Sequence, residues 1–535
     1  MIELEKHGAG MGASAAVYVA AVLLLLPFLG VRGFESSAEG RPAVVARDIL
    51  ATGRICPPYL QGAPYLNKPP LYHALVAVSF GVFGRSDEFT ARLPSVLLGA
   101  AVVLAVFVSA RRRHGAGFGL VAAAVLLGGL RFFTNARTSE IEILVALTSV
   151  LAYDAVEALF ERRGRRTTVC LLLALACGLG SVAKGPNVAP LFPLFLILGN
   201  AFVRRDGRAA LLPIAAVILG TAVGALGYWG PLVADGWWPE LRERLELKNN
   251  RHTHGAFYYL LAYPSGLLPA ALLLPLVWVS RRALAATDKA RLLAFAIALV
   301  VFSIPRSKQS HYLLPLDPLV ALVLAEALRL AWRAGRRWFV DALLALTVLG
   351  ALGAQAAAMR VRGIDLSILR AWWPALPPVA LGLIGAVLWR RFRGGREAPA
   401  AFSLVVLASW SALIYFDAGR GLVQNVERSP RQAMRAFRVH AAGGPLATTD
   451  QATSVLFYLD RPDLGLLGAG PPAIEFLRRN ADGFVVVEHA SDDPEAEVWR
   501  ASLPIAASWR SPGGRQGWDL LGPGRDLLPE TRPSK

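Results

Sequence analysis

An α-helical protein that crosses a membrane many times, finished by a small soluble α/β domain, is the fold class this sequence predicts. Three observations predict it. The 535 residues are 55% hydrophobic and only 18% charged, with a mean hydropathy of +0.46. The apolar residues gather into runs near the length a bilayer demands, roughly 20 residues per helix. The arginines gather into short knots between those runs. Such a composition excludes a disordered chain, which has too little to bury, and argues against a soluble multidomain enzyme. Three cysteines in this length make no disulfide framework.

The first run, about residues 13–31, follows a weakly basic start and continues through Pro27-Phe28-Leu29 without a small-residue cleavage site. It reads as a membrane helix rather than a signal peptide. Residues 33–90 form a long, mostly polar connection. Its apolar stretch at 71–83 is too short to span comfortably and suits the interface. Further runs follow at about 92–110, 116–133, 142–160, 167–183, 187–203, 209–229, 257–279, 290–304, 313–332, 338–357, 372–389 and 399–416, which makes thirteen.

Lys+Arg exceeds Asp+Glu, 56 against 38. No aromatic stripe accompanies the basic knots, so nucleic-acid binding is not expected. The excess instead reads as membrane topology, because Lys and Arg collect in cytoplasmic loops. Knots occur at Arg111-Arg112-Arg113, within 162–166 and 204–208, at Arg281-Arg282, and within 333–337 and 390–396. Each follows an even-numbered run. Thirteen helices then put the N-terminus in the cytoplasm and the C-terminus outside. Residues 1–417 read as the membrane domain. Residues 418–535 read as a soluble outer domain, with β-like runs at Ser454–Leu459, Gly483–Val487 and Pro504–Ser508 and an amphipathic helix at Pro472–Arg479.

The loops on the outer side hold most of the acids, the histidines and the isolated basic residues. In the first loop Lys68 precedes Pro69-Pro70. Two prolines fix the backbone and start the following helix, which holds the ammonium at the surface where a lipid phosphate lies. Glu39 is an interfacial carboxylate suited to general-base work, with Arg41 beside it. Arg137, Glu140 and Glu142 end another outer loop, and Glu142 stands at the apolar boundary, where an ionised group needs a partner. Lys184-Gly185-Pro186 is a hairpin whose lysine lies on the side poor in cations. Arg251, His252 and His254 precede the eighth run, and two histidines at i, i+2 can share a metal. Arg306, Lys308, His311 and Tyr312 join the ninth and tenth runs as a phosphate cradle. Cations gathered on this face need a reason, and an anionic lipid headgroup is the simplest.

These residues resemble a known family. The stretch Glu39 to Leu71, with its Ala46-Arg47-Asp48 run, its Gly62-Ala63-Pro64-Tyr65 turn and Lys68-Pro69-Pro70-Leu71, is similar to the first periplasmic loop of bacterial polyprenyl-phosphate-dependent glycosyltransferases. These are the relatives of the 4-amino-4-deoxy-L-arabinose transferase of lipid A modification, within the protein O-mannosyltransferase clan and its GT-C fold. Ala91-Arg92-Leu93-Pro94-Ser95, Lys184-Gly185-Pro186 and Ser307-Lys308 through Tyr312-Leu313-Leu314-Pro315 match in order. The resemblance covers about residues 13–416.

It implies thirteen helices in a bacterial inner membrane. It implies a sugar carried on a polyprenyl phosphate and a lipid or protein acceptor that attacks the anomeric carbon with inversion. Glu39 and Glu142 take the places of acids in the catalytic site. Lys68, Lys308 and Tyr312 match lipid-phosphate contacts. Arg41, Arg137, Lys184, Arg251 and Arg306 complete the basic set. Two departures stand out. Ala38 occupies the place of the family's usual base, an aspartate, and Glu39, with Glu35 nearby, is the candidate to take over its role. Asn67 replaces a glutamate that can share a metal with a histidine of the later loop, which weakens the case for the divalent metal that the resemblance implies and leaves His252 and His254 as its candidate ligands. The competing class is a lipid-phosphate-binding protein without catalysis, or a transporter, although no internal repeat of the kind transporters use is present.

Overall fold

The computed structural model describes residues 2–34, 37–240, 253–268, 270–335 and 430–522, the last with breaks at 450–451, 462–463, 468–470, 490–504 and 511–516. The expected runs at 338–357, 372–389 and 399–416 lie outside the described residues, as do Glu35, Arg251 and His252.

The first loop folds back onto the membrane helices. Helix α1 (Ile2–Leu25) leads through a turn into α2 (Ser37–Thr52), the two-residue strands β1 (Tyr59–Leu60) and β2 (Ala63–Pro64), and α3 (Leu71–Phe83). β1 and β2 pair antiparallel about Gln61-Gly62. Both turn residues have positive φ, 54° and 75°, as a tight hairpin requires and as glycine tolerates. Asp48 fixes the hairpin by accepting from the Gln61 amide at 2.6 Å. At thirteen residues, α3 is short for a span.

Helix α4 (Glu88–His114) opens with a capping box in which Asp87 and Thr90 satisfy each other's amides. It closes on Arg111, Arg112 and Arg113, where basic side chains suit the negative end of the helix dipole. α7 (Glu142–Phe160), α8 (Arg166–Lys184) and α10 (Leu211–Ala234) are likewise long and apolar. These four helices meet the length and composition needed to cross a membrane, or six spans if two bent pairs each count as one. α9 (Leu191–Arg204), α13 (Ala286–Ser303) and α14 (Asp317–Arg333) complete the bundle among the described residues. α8 and α10 leave Leu171, Leu172, Leu175, Leu219, Val223 and Leu226 exposed, an apolar face made for lipid.

Two expected spans are broken. The run at 116–133 divides into α5 (Ala116–Leu127) and α6 (Leu130–Ala136), bent by 79° at Gly128-Gly129. The run at 257–279 divides into α11 (Tyr258–Leu267) and a 3-10 turn leading to α12 (Leu274–Ser280), bent by 104°. Hydropathy cannot register a bend, because the residues on both sides stay apolar. The two breaks satisfy each other: the Leu130 amide donates to the Leu268 carbonyl at 3.0 Å. Arg131 pairs with Asp317, which also accepts from the Tyr263 hydroxyl at 3.0 Å, so α6, α11 and α14 are tied at one buried point.

The arginine knots do more than mark a side. Arg291 of α13 is 1% exposed and bonds Glu157 of α7 at 2.7 Å and Asp288 at 2.9 Å. Arg113 joins both acids, at 3.3 and 3.0 Å. Each buried charge thereby has a partner, without which it would cost several kcal/mol.

Residues 430–522 form α15 (Arg431–His440), α16 (Thr453–Leu459), α17 (Pro471–Arg479) and a five-stranded sheet in the order β4-β3-β5-β7-β6. β3 (Leu446–Thr448) runs parallel to β4 (Gly465–Leu466) and β5 (Phe484–His489). β7 (Gly517–Leu521) runs antiparallel to β5 and β6 (Ile505–Arg510). The expected strand at Ser454–Leu459 is the helix α16. Every residue of α16 is buried, and a short run apolar on all sides shows no periodicity by which to tell helix from strand.

Candidate active site

The first loop and the turn after α6 build a polar cavity of about 700 Å³ at one end of the bundle. Ala38 and Arg41 reach it from α2, Lys68 from the segment before α3, Glu140 and Glu142 from the start of α7, and Lys308, His311 and Tyr312 from the segment before α14. His254 joins them because its loop pairs with the later one: Thr253 bridges to Ser307, and the His254 amide donates to the Arg306 carbonyl at 3.1 Å. Lys308 is buried and donates to the His254 carbonyl at 3.0 Å. The His254 ring stacks on Tyr258 at 4.1 Å.

A second cavity of about 440 Å³ adjoins it, lined by Leu66, Val188, Trp229 and Phe302 together with Lys68, Lys184, Tyr228 and Tyr312. Lys68 and Tyr312 line both cavities. Lys184 is the last residue of α8, lies 4.7 Å from the centre of the Tyr312 ring and donates to Glu142 Oε1 at 2.9 Å. Lys68 has no hydrogen-bond or ion-pair partner among the described residues. Burial and the nearby charges of Lys184 and Arg41 hold its ammonium below the ordinary lysine range, against the opposing pull of Glu142 and Glu140. A partly desolvated cation at the wall between a polar and an apolar chamber is suited to an anion whose two ends differ in the same way.

Several expected residues lie elsewhere. Glu39 is buried and absent from both cavity linings. Arg92 Nε bonds it at 2.7 Å and Arg32 at 3.2 Å. Burial alone would raise this carboxyl, yet the two arginine charges and the hydrogen bonds from Arg92 and the Ser139 amide hold it below the usual range. Arg92 also donates to the carbonyls of Leu29, Arg32 and Gly33, so this pair fastens α2 to α4. Arg137 is buried, donates to the Leu25 carbonyl at 2.5 Å and lies outside both linings. Arg306 is exposed and lines neither cavity, and its carbonyl accepts from the His254 amide.

His73, Tyr65 and Tyr228 line the cavities without having been singled out from the sequence, and Glu140, noted there beside Glu142, was given no role. The available signal for Glu140 was its place two residues before Glu142 at the end of an apolar run. Burial, Glu142 and Glu39 push its carboxyl up to about 8, against Lys184 and Arg32. Glu140, Glu142 and His311 offer ligand atoms within 4.8 Å of one another. Two carboxylates and an imidazole suit a divalent metal. His254 is not part of that group.

The profile of the dolichyl-phosphate-mannose-protein mannosyltransferase family matches residues 67–228. The chain is 29% identical over 429 residues to the undecaprenyl phosphate-α-4-amino-4-deoxy-L-arabinose arabinosyl transferase 1 of Sodalis glossinidius, covering 75% of each. It is 29% identical over 349 residues to transferase 2 of Pseudomonas fluorescens, covering 61% of this chain and 58% of that one. The crystal structure of ArnT from Cupriavidus metallidurans bound to undecaprenyl phosphate superposes with a TM-score of 0.74 at 19% identity, covering 95% of this chain and 97% of that one. The resemblance first drawn from the loop motifs therefore extends across most of the chain, and the helical fold is shared with that solved structure.

Proposed function

We propose that this relative of the undecaprenyl phosphate-aminoarabinose transferases is a membrane glycosyltransferase that moves a sugar from a polyprenyl phosphate to an acceptor, in the first place a lipid. The observation that carries this reading is the position of Lys68 and Tyr312 on the wall common to a polar and an apolar cavity. The lipid end of the donor enters the smaller chamber, among Leu66, Val188, Trp229 and Phe302. The sugar enters the larger one. The phosphate then lies at the junction, within reach of Lys68 and Lys184.

The reaction follows from that placement. An acceptor oxygen attacks the anomeric carbon from the face opposite the phosphate, and where that oxygen is a hydroxyl its proton passes to the Glu142 carboxylate in the cavity. The bond to the phosphate oxygen breaks, the oxygen keeps the electron pair, and the configuration inverts. Negative charge grows on the leaving phosphate, and cations already fixed there stabilise it without reorganising.

The site belongs to the outer face of the membrane. α7 and α8 carry Glu142 and Lys184 at one end and the 162–166 arginine knot at the other, and α9 ends on Arg204. Short basic loops stay in the cytoplasm, so the cavity end faces out. Thirteen spans, a cytoplasmic N-terminus and an outer α/β domain at 418–535 complete this arrangement. The domain packs on the first loop, the same side as the cavities.

The test is transfer in reconstituted membranes from radiolabelled polyprenyl-phosphate sugars, with wild type beside Lys68→Ala. Loss of transfer in a variant that stays folded supports the phosphate position, and full activity removes it. Ala38 and the paired state of Glu39 favour a second reading, a lipid-phosphate-binding protein that transfers nothing. Saturable binding of polyprenyl phosphate without transfer from any donor tried would select it.

A further inference from the structure

Within the larger cavity, three metal-binding side chains converge from segments far apart in sequence. Glu140 lies in the turn after α6, Glu142 opens α7, and His311 comes from the 3-10 segment Ser310–Leu316. One ligand atom from each lies within 4.8 Å of the other two. Nitrogen and oxygen ligands stand about 2.0–2.2 Å from a zinc ion, so two ligands of one ion are at most about 4.4 Å apart. A shift of a few tenths of an ångström closes the set.

The His311–Glu142 pair accounts for two of the three positions and leaves that of Glu140 unexplained. Two carboxylates repel at this range. Glu142 is answered by Lys184 at 2.9 Å, with His311 Nε2 at 3.6 Å. Glu140 is half-buried, and its carboxylate has no hydrogen bond or ion pair with any described residue. A cation between the carboxylates, completed by the imidazole, would account for the convergence. Among the described residues Lys184 bonds the Glu142 oxygen nearest His311, and Lys68 is drawn to both acids without bonding either.

We infer that Glu140, Glu142 and His311 bind one divalent transition-metal ion, Zn²⁺ or Mn²⁺, with a further coordination position open to the cavity. Two carboxylates and one imidazole form a ligand set of the kind these ions accept, and an open position is the mark of a site that takes a substrate oxygen. The ligands differ from the His252 and His254 pair expected from sequence. Binding itself is independent of the transferase reading. Only an effect of the ion on transfer would rest on it.

The experiment uses the full-length protein in detergent, stripped with EDTA and titrated with Mn²⁺ by electron paramagnetic resonance and with Zn²⁺ by calorimetry. One ion per chain is expected. Glu140→Gln and His311→Ala should each weaken binding at least about tenfold. A metal bound to the native state raises its thermal midpoint, so added Zn²⁺ should raise the midpoint of wild type and much less that of either variant. The midpoints in EDTA report folding separately. No saturable binding by wild type up to millimolar metal overturns the assignment. So does binding that persists in both variants. Loss in His254→Ala with retention in His311→Ala would place the ion on the other loop and overturn it equally. Metal binding without transfer leaves this site standing while the proposed function falls.

Discussion

Lys68 tests the donor-phosphate position in two ways. A hydrogen bond to a charged group contributes about 1.5–3 kcal/mol, so Lys68→Ala should weaken polyprenyl-phosphate binding by tenfold or more, read as a direct dissociation constant. The second test is pH. Burial beside Lys184 and Arg41 lowers the Lys68 pKa, so its charge is present at low pH and lost as pH rises through that lowered value. Donor binding should therefore weaken on the alkaline side, earlier than an ordinary lysine would allow. Lys68→Arg stays charged and should lose that limb. Glu39 gives a contrasting expectation. Its carboxylate holds Arg92, which is fully buried, and removing one partner of a buried ion pair costs about 3–5 kcal/mol. Glu39→Gln should lower the thermal midpoint by several degrees, and any loss of transfer should follow the loss of folded protein. Transfer lost at an unchanged midpoint would return Glu39 to the chemistry.

At the scale of elements, the position of Lys184 depends on glycines remote from it. Gly220 and Gly224 of α10 lie against Ala174 and Gly178 of α8, so closely that a Cβ on either would overlap backbone atoms of α8. Small residues four apart let membrane helices approach in this way. Lys184 is the last residue of α8. Gly220→Val should therefore separate the two helices, lower the thermal midpoint and weaken donor binding together, although residue 220 touches neither cavity. Unchanged stability and binding would show that α8 is held by its other contacts. The bends in the α5–α6 and α11–α12 pairs belong to this scale too. They bring Arg131 and Asp317 together, an arrangement that an unbroken span would preclude.

For the whole molecule, residues 430–522 are less separate than a boundary at 418 suggests. Phe34 packs edge-on to Phe457 at 4.7 Å, and its amide donates to the Tyr458 hydroxyl at 2.7 Å, which in turn donates to Glu88 at 3.0 Å. Gly40, beside Glu39, approaches α16 so closely that a Cβ would stand 3.0 Å from the Ser454 amide nitrogen. The C-terminal part thus holds the helix that carries Ala38 and Arg41. The proposed orientation has a direct check in a chain whose Cys56, Cys170 and Cys177 are replaced. A membrane-impermeant thiol reagent applied from the outer side should label Glu475→Cys and spare Gly164→Cys, both at exposed positions. The opposite pattern would invert the topology and discard the outer-face site.

The sequence by itself determined that this is a helical membrane protein, where its main helices lie, and which face gathers cations. Membrane insertion selects for apolar length and charge asymmetry, and both are written in consecutive residues. Lys68, Lys184, Lys308, Tyr312, Glu142, Arg41 and His254 could be singled out because a charge or a proline beside an apolar run is locally conspicuous. Tertiary structure decided what those residues face. Glu39 looked as available as Glu142 until Arg92, 53 residues away, occupied it. Glu140 and His311, 171 residues apart in the chain, meet only because the segment before α14 folds against α7. Ion pairing and ligand geometry depend on distances of a few ångströms between segments remote in sequence, and a single chain's local pattern does not encode such distances.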